Sequence, residues 1–283
     1  MLVYIPDGSD EGAAFARTTD LCIGAHPDDI EMMAYHAIAA AVDSRGARDV
    51  ADINARWFAG ITVTDGAGSK KAGNYAAYTD ENFARIRAKE QHAASMIGKY
   101  SAQIQLQMAS RMVKENRKSA ASKLAGLIRE LGPEVVWTHN VADRHETHAV
   151  VALCVIEALR SLKPKERPQK LYGLEVWGSL DWLAAGDKMV FDASAHPNTA
   201  QALLGVYDTQ IATGKRYDLA VMGRRAANAA FLESGAEGRT DMAALGMDMT
   251  PLMEEAVTPA QFIQEKIRAF ESETLVRIEK LWK

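Results

Sequence analysis

Two short segments concentrate side chains that bind metals and move protons. The first is Ala25-His26-Pro27-Asp28-Asp29-Ile30-Glu31, and the second runs from His139 through Asp143, His145, Glu146 and Thr147 to His148. Pro27 fixes its own φ and holds His26 extended. Adjacent residues at the turn that follows point in different directions, so one carboxylate can ligate a metal while its neighbour faces a substrate. A catalytic zinc needs about three protein ligands and one open position, and His26 and Asp29 can supply two of the three. His145 and His148 lie three apart at the start of a helical pattern and share a face. His148 also falls in line with Val151, Ala152 and Val155, the stripe that should face a sheet. One of these histidines can bind the metal while the other reaches a reacting carbonyl.

Either motif alone has an ordinary explanation. His-Pro-Asp-Asp suits a turn with an aspartate N-cap, and His-x-x-His suits a solvated helix face. Both together, at strand ends of one chain, point to a metal centre. The strands follow from short apolar runs that alternate with helical patterns, the mark of an α/β domain. Residues 21–25, 57–63, 104–108, 134–138, 171–177 and 189–192 read as strands. Residues 30–42, 81–99 (with Asp80 as N-cap), 114–131, 145–162, 199–211 and 218–231 read as helices. The expected fold is a Rossmann-like, largely parallel sheet flanked by helices, in which ligands bind at the carboxyl ends of strands. We read residues 1–283 as a single domain. Residues 234–283 form its C-terminal extension: an irregular stretch to residue 258, then an amphipathic helix with Thr258 as cap and Phe262, Ile263, Ile267 and Phe270 at helical spacing.

Composition narrows the function classes. With 33 basic and 37 acidic residues the formal net charge is −4, which leaves no footprint for nucleic acid or anionic lipid. Cys22 and Cys154 sit inside apolar runs and read as buried thiols. No segment suggests a signal peptide or a membrane span, so the expected address is the cytoplasm. The expected partner is a small molecule, with a homo-oligomer as an option for the C-terminal helix.

The sequence Ala-His-Pro-Asp-Asp, followed by Asp-x-His-x-x-His, resembles the PIG-L/LmbE-like N-deacetylases. The likeness extends to the loop containing Thr64-Asp65-Gly66 and to Arg87-x-x-Glu90, and it weakens beyond Asp192. It implies a zinc-dependent enzyme with His26, Asp29 and His148 as ligands. Asp28 would be the general base, and a protonated His145 would stabilise the tetrahedral intermediate. It places Arg87 near the substrate, an N-acetylated amino sugar or glycoconjugate. A non-sugar amide such as a thiol conjugate is the alternative substrate, and a catalytically weak metal-binding homologue the alternative role. Iron(II) could replace zinc, because mixed histidine and carboxylate sites accept several divalent ions.

One departure stands out. Family members commonly carry Asp where this chain has Thr147; without that carboxylate the pKa of His145 should fall. Asp143 either orients His145 or caps the helix. Arg87 and Glu90 share an inner helix face and read as an ion pair or as substrate contacts. Asp65 either meets a sugar hydroxyl or shapes its turn. Lys215, Arg216, Arg224 and Arg225 read as a solvated face, or as a receptor for an anionic group on the substrate. Tyr207 offers a hydroxyl to an oxyanion. His36, His92, His139 and His196 lack ligand spacing to one another and read as structural.

Overall fold

The computed structural model describes residues 1–45, 55–232 and 240–283. In chain order its elements are β1 (Leu2–Tyr4), α1 (Glu11–Ala16), β2 (Asp20–Gly24), α2 (Asp29–Met33), α3 (Tyr35–Ser44), β3 (Phe58–Thr64), α4 (Asp80–Ile97) and β4 (Ala102–Met108). They continue as α5 (Ser110–Glu115), α6 (Arg117–Leu131), β5 (Val135–His139), α7 (Glu146–Ser161), β6 (Lys170–Leu174) and β7 (Met189–Asp192). The last third adds α8 (Pro197–Gly205), α9 (Asp208–Ile211), α10 (Tyr217–Phe231), β8 (Ala243–Asp248) and α11 (Pro259–Trp282).

The strands form one sheet in the order β1-β4-β3-β2-β5-β6-β8-β7. From β4 to β6 the neighbours run parallel. At one edge β1 pairs antiparallel with β4, and at the other β8 pairs antiparallel with both β6 and β7. The parallel block is the Rossmann-like sheet expected from the sequence, and the residues beyond β6 elaborate it. Helices cover both faces, which is why β2 and β3 are buried along their whole length. Side chains alternate across β2: Leu21 and Ile23 pack with Leu124 and Ile128 of α6 and Val151 and Val155 of α7. Cys22 packs on the opposite side with Ile38 of α3, Tyr100 and Leu203 of α8. Both cysteines are buried and free.

Several boundaries differ from the sequence reading for local reasons. The helix expected over 30–42 breaks at Ala34 (φ −110°, ψ 22°) into α2 and α3. That over 114–131 divides at Asn116, whose side chain accepts the Ser119 N–H and caps α6. Thr79, not Asp80, caps α4 by accepting from Asn82 N–H. The helix expected over 199–211 divides into α8 and α9. The N-terminal residues, unassigned from the sequence, supply β1 and α1. The stretch read as irregular contains a buried strand, β8, seated between β6 and β7. Ala-Ala-Leu-Gly-Met-Asp has neither β-branched residues nor polar alternation, so its pattern gives no strand signal. The part of that reading on residues 234–239 lies outside the described residues. In α11 the Thr258–Gln261 capping box forms, Phe262 and Ile263 join the core, and Ile267 and Phe270 are exposed. No helix among the described residues is long and apolar enough to cross a membrane.

Candidate metal centre

Where β2 ends, Thr64 N–H of the neighbouring strand donates to Ala25 O at 2.8 Å, so sheet bonding carries past the strand and fixes the backbone into His26. Asp28 then adopts φ 106°, ψ −29°, a left-handed conformation that costs an L-residue about 1–3 kcal/mol. The surroundings hold it there: its N–H donates to Gln91 Oε1 (3.3 Å), and Arg87 donates to Pro27 O (2.5 Å). The two adjacent carboxylates consequently face different partners. Asp29 meets histidines, and Asp28 lies 3.3 Å from the Arg87 guanidinium.

Two ring nitrogens and the two oxygens of one carboxylate converge at this turn. His26 Nδ1 lies 3.1 Å from Asp29 Oδ2, His148 Nε2 lies 3.3 Å from Asp29 Oδ1, and the two ring nitrogens are 3.2 Å apart. Donors at tetrahedral zinc distances of about 2.0–2.1 Å stand roughly 3.3 Å from one another, a spacing that the His26–His148 pair has and that each of these nitrogens has to one Asp29 oxygen. The electrostatics also suit a cation. Burial opposes ionisation of Asp29, but the rings of His148, His139 and His26 outweigh it and hold the carboxyl well below the usual range. Burial likewise disfavours a charged His148, yet Asp29 and Asp143 push it up to about 10. The pocket between these groups attracts positive charge.

Asp143 backs the cluster. Its Oδ1 accepts the His145 N–H (2.8 Å) and lies 3.4 Å from His148 Nδ1, while Oδ2 accepts the Trp177 N–H (3.2 Å). Asp143 therefore steadies the start of α7 and faces the ring of His148, not that of His145, which leaves Nε2 of His148 turned toward the donors. His145 Nδ1 is buried without a partner among the described residues. Burial, then the His148 and His26 rings, pull its pKa down to about 4, in line with the missing carboxylate at Thr147. Glu146 is exposed on Lys114 (2.7 Å) and does not substitute.

His139 is not a bystander. Fully buried at the end of β5, it stacks on His148 with ring centres 4.0 Å apart, and its Nε2 lies 2.9 Å from Ala25 N and 3.3 Å from Asp29 Oδ2. That nitrogen orients Asp29 or meets Ala25 N–H, and His139 also forms, with Asp29 and His148, a second buried group able to hold a metal ion. The signal was available: Ile23 of β2 pairs with Thr138 of β5, so the two strand ends meet.

The cluster opens into a cavity of about 520 Å³ whose lining includes His26, Asp28, Asp29, Arg87, His145, Thr147 and Trp177. Arg87 also donates to Gly66 O (3.0 Å), and a Cβ on Gly66 (φ 67°) would run into the guanidinium. The expected Arg87–Glu90 pair does not form. Glu90 instead accepts the N–H (2.8 Å) and hydroxyl (2.6 Å) of Thr209, tying α4 to α9. Asp65 does not line the cavity; its carboxylate accepts Ala67 N–H (3.0 Å) and shapes the turn.

The late cationic residues divide. Arg216 pairs with Asp218 at the surface, as a solvated face would, but Lys215 and Arg224 line the cavity together with Gln210 and Tyr217. Arg225 is buried and donates to the carbonyls of Glu31 (2.8 Å) and Met32 (3.1 Å). Glu31, fully buried, receives Tyr100 OH (2.6 Å), Gln91 Nε2 (2.9 Å) and Tyr207 OH (2.5 Å). Tyr207 thus supports the metal loop from behind and does not reach the cavity.

The PIG-L family model, described as GlcNAc-PI de-N-acetylase, matches residues 21–159. No curated protein sequence matches the chain. Among solved structures, the 4-carboxy-2-hydroxymuconate hydratase GalB of Pseudomonas putida superposes with TM-score 0.64 at 15% identity, over 85% of this chain and 100% of that one. The N,N'-diacetylchitobiose deacetylase of Pyrococcus horikoshii gives 0.64 at 12%, over 86% and 88%. The conserved protein TT1542 of Thermus thermophilus gives 0.61 at 20%, over 85% and 99%. A hydratase and a deacetylase superpose equally well, so the likeness concerns the fold, and the residues of the site must decide the chemistry. The matched segment, just under half of the chain, carries His26, Asp28, Asp29, Arg87, His145 and His148, and the structure draws these together at the sheet's carboxyl end; over residues 21–159 the chain is a PIG-L/LmbE-like deacetylase domain.

Proposed function

We propose that this protein is a metal-dependent hydrolase that removes an acetyl group from an N-acetylated amino sugar or glycoconjugate. The observation that carries the proposal is Asp28, a buried carboxylate beside three convergent donors, lining the cavity and not needed as a ligand. A site that only bound a metal has no use for it. His26, Asp29 and His148 would hold the ion; two imidazoles and a carboxylate suit zinc, and iron(II) also fits. Such a cation polarises the acyl oxygen and acidifies the attacking water.

The chain's own groups supply the proton transfers and the positioning. Burial pushes Asp28 up to about 8, against the pull of Arg87 and with the help of Asp29. Its ionised fraction can take a proton from the water, and the acid so formed can return it to the leaving amine. Arg87 fixes the orientation of that carboxylate. His145 lines the cavity close to His26, ring centres 5.0 Å apart, and can donate an N–H to the developing oxyanion. With its pKa near 4 it acts as a neutral donor, which replaces the imidazolium expected from the family. A neutral donor stabilises less than a charged one. The rings of Trp177 and Tyr217, both on the cavity wall, offer apolar faces to a sugar. The names of the matched family model and of the Pyrococcus horikoshii enzyme support the sugar substrate.

Metal analysis combined with acetate release over a panel of N-acetylglucosamine conjugates tests the proposal. Activity should disappear with a chelator and return with zinc, and a His26→Ala/His148→Ala variant should lose both metal and turnover. Full activity in metal-free protein would sink the proposal. Turnover confined to non-sugar amides would move the substrate and keep the chemistry.

A further inference from the structure

The helical wall of the cavity carries positive charge that no carboxylate among the described residues pairs with directly. Tyr217, Ala220, Val221 and Arg224 recur at i, i+3, i+4 and i+7, so a single stripe of α10 faces the cavity. Lys215, on the turn before α10, joins the same wall. Its ammonium donates to Gln210 Oε1 (2.7 Å) and to Ser69 Oγ, both neutral groups. Arg224 donates to the Val176 carbonyl, also neutral. Neither forms an ion pair with a carboxylate among the described residues, unlike Arg56 on Asp20, Lys71 on Asp80 or Arg216 on Asp218. Of the acids of the cavity, Asp29 meets the histidines and Asp28 pairs with Arg87, reaching Lys215 only at longer range. Half-buried cations without counter-charge destabilise the empty protein, and a ligand that brings negative charge into the cavity removes that cost through charge-assisted hydrogen bonds.

We infer that this wall is an anion subsite: the N-acyl substrate carries a phosphate or carboxylate on the part that leaves with the amine, recognised by Lys215 and Arg224. The inference rests on the hydrolase reading for the reaction, but its binding step stands without it.

Two measurements on the zinc-loaded protein separate these. In the first, kcat/KM for acetate release is compared between N-acetylglucosamine 1-phosphate, N-acetylglucosamine 6-phosphate, N-acetylmuramic acid and the neutral methyl N-acetylglucosaminide. At least one anionic compound should exceed the neutral one about tenfold or more, and Lys215→Met or Arg224→Met should bring that ratio toward one, mainly through KM. The best anionic compound identifies the group as phosphate or carboxylate. In the second, binding of the same compounds is followed by calorimetry in wild type and in both variants, with melting temperatures as the check on folding. Anionic ligands that bind only when Lys215 and Arg224 are present, with no acetate released, would keep the subsite and overturn the amino-sugar deacetylase reading. Equal turnover of neutral and anionic compounds, with both variants retaining the wild-type ratio, would overturn the subsite and keep the hydrolase. Absence of both turnover and binding overturns both.

Discussion

The metal centre and the cavity wall are built in opposite ways. Asp29, His139 and His148 are at most 2% exposed: His139 ends β5, Asp29 opens α2 just past β2 and His148 lies in the first turn of α7, beyond parallel strands whose register is fixed on both sides. Lys215, Tyr217 and Arg224 are half-buried on a turn and a helix that lie beyond the parallel block. One region holds groups that must meet to within fractions of an ångström; the other presents side chains along a helix where a change of residue disturbs little. Chemistry is placed where the backbone cannot shift, and recognition where it can vary.

The largest effect is expected from Asp28→Asn. It should keep the metal and lower kcat about 100- to 10,000-fold. Parallel loss of metal would make Asp28 a ligand and erase its separate role. Tyr207→Phe probes the one late residue that serves the metal loop instead of the cavity. Removing its hydroxyl leaves Glu31 Oε2 without that donor, which should cost about 1–3 kcal/mol in urea unfolding. An unchanged midpoint would mean that the late helices do not brace the loop.

The smallest effect concerns His36, whose ring stacks on Phe191 (4.4 Å) and meets Trp137 edge-on (4.8 Å), with neither nitrogen partnered among the described residues. Burial, with Arg225 nearby, holds its pKa down to about 3 from 6.5. Between those values the unfolded chain binds more protons, so stability is full above 6.5 and falls as the pH drops toward 3. At pH 5 the loss is about 2 kcal/mol. His36→Phe should flatten that part of the pH–stability curve; an unchanged slope would place the acid sensitivity elsewhere.

The sequence made the chemistry of the metal loop legible because residue type alone marks donors. His26, Asp28, Asp29, His145 and His148 are all in the cluster. Conformation was not legible: nothing in Pro27-Asp28-Asp29 announces that Asp28 sits at positive φ, since that state depends on Arg87 and Gln91 from α4. Partners were also hidden. Asp143 reaches His148, and Arg87 bypasses Glu90 for Asp28, because loop paths and contacts between elements decide those pairs rather than spacing within one element. Lys215 and Arg224 looked like surface charge for the same reason. Their helix pattern has a cavity face, but only the fold shows where the cavity lies.

Strand order carries one more consequence. β7 and β8 are adjacent and antiparallel, with Asp192 paired to Ala243, so everything from residue 193 to 242 is the loop of a single long hairpin. Loop-closure entropy grows only slowly with length, and the hairpin's own ladder fixes both ends. Changes of length between these ends therefore cost the parallel block little, provided that Tyr207, Thr209 and Arg225 keep their contacts to Glu31 and Glu90. A chain built this way can change its cavity wall by remodelling one excursion, while the His26–Asp29 turn stays as it is.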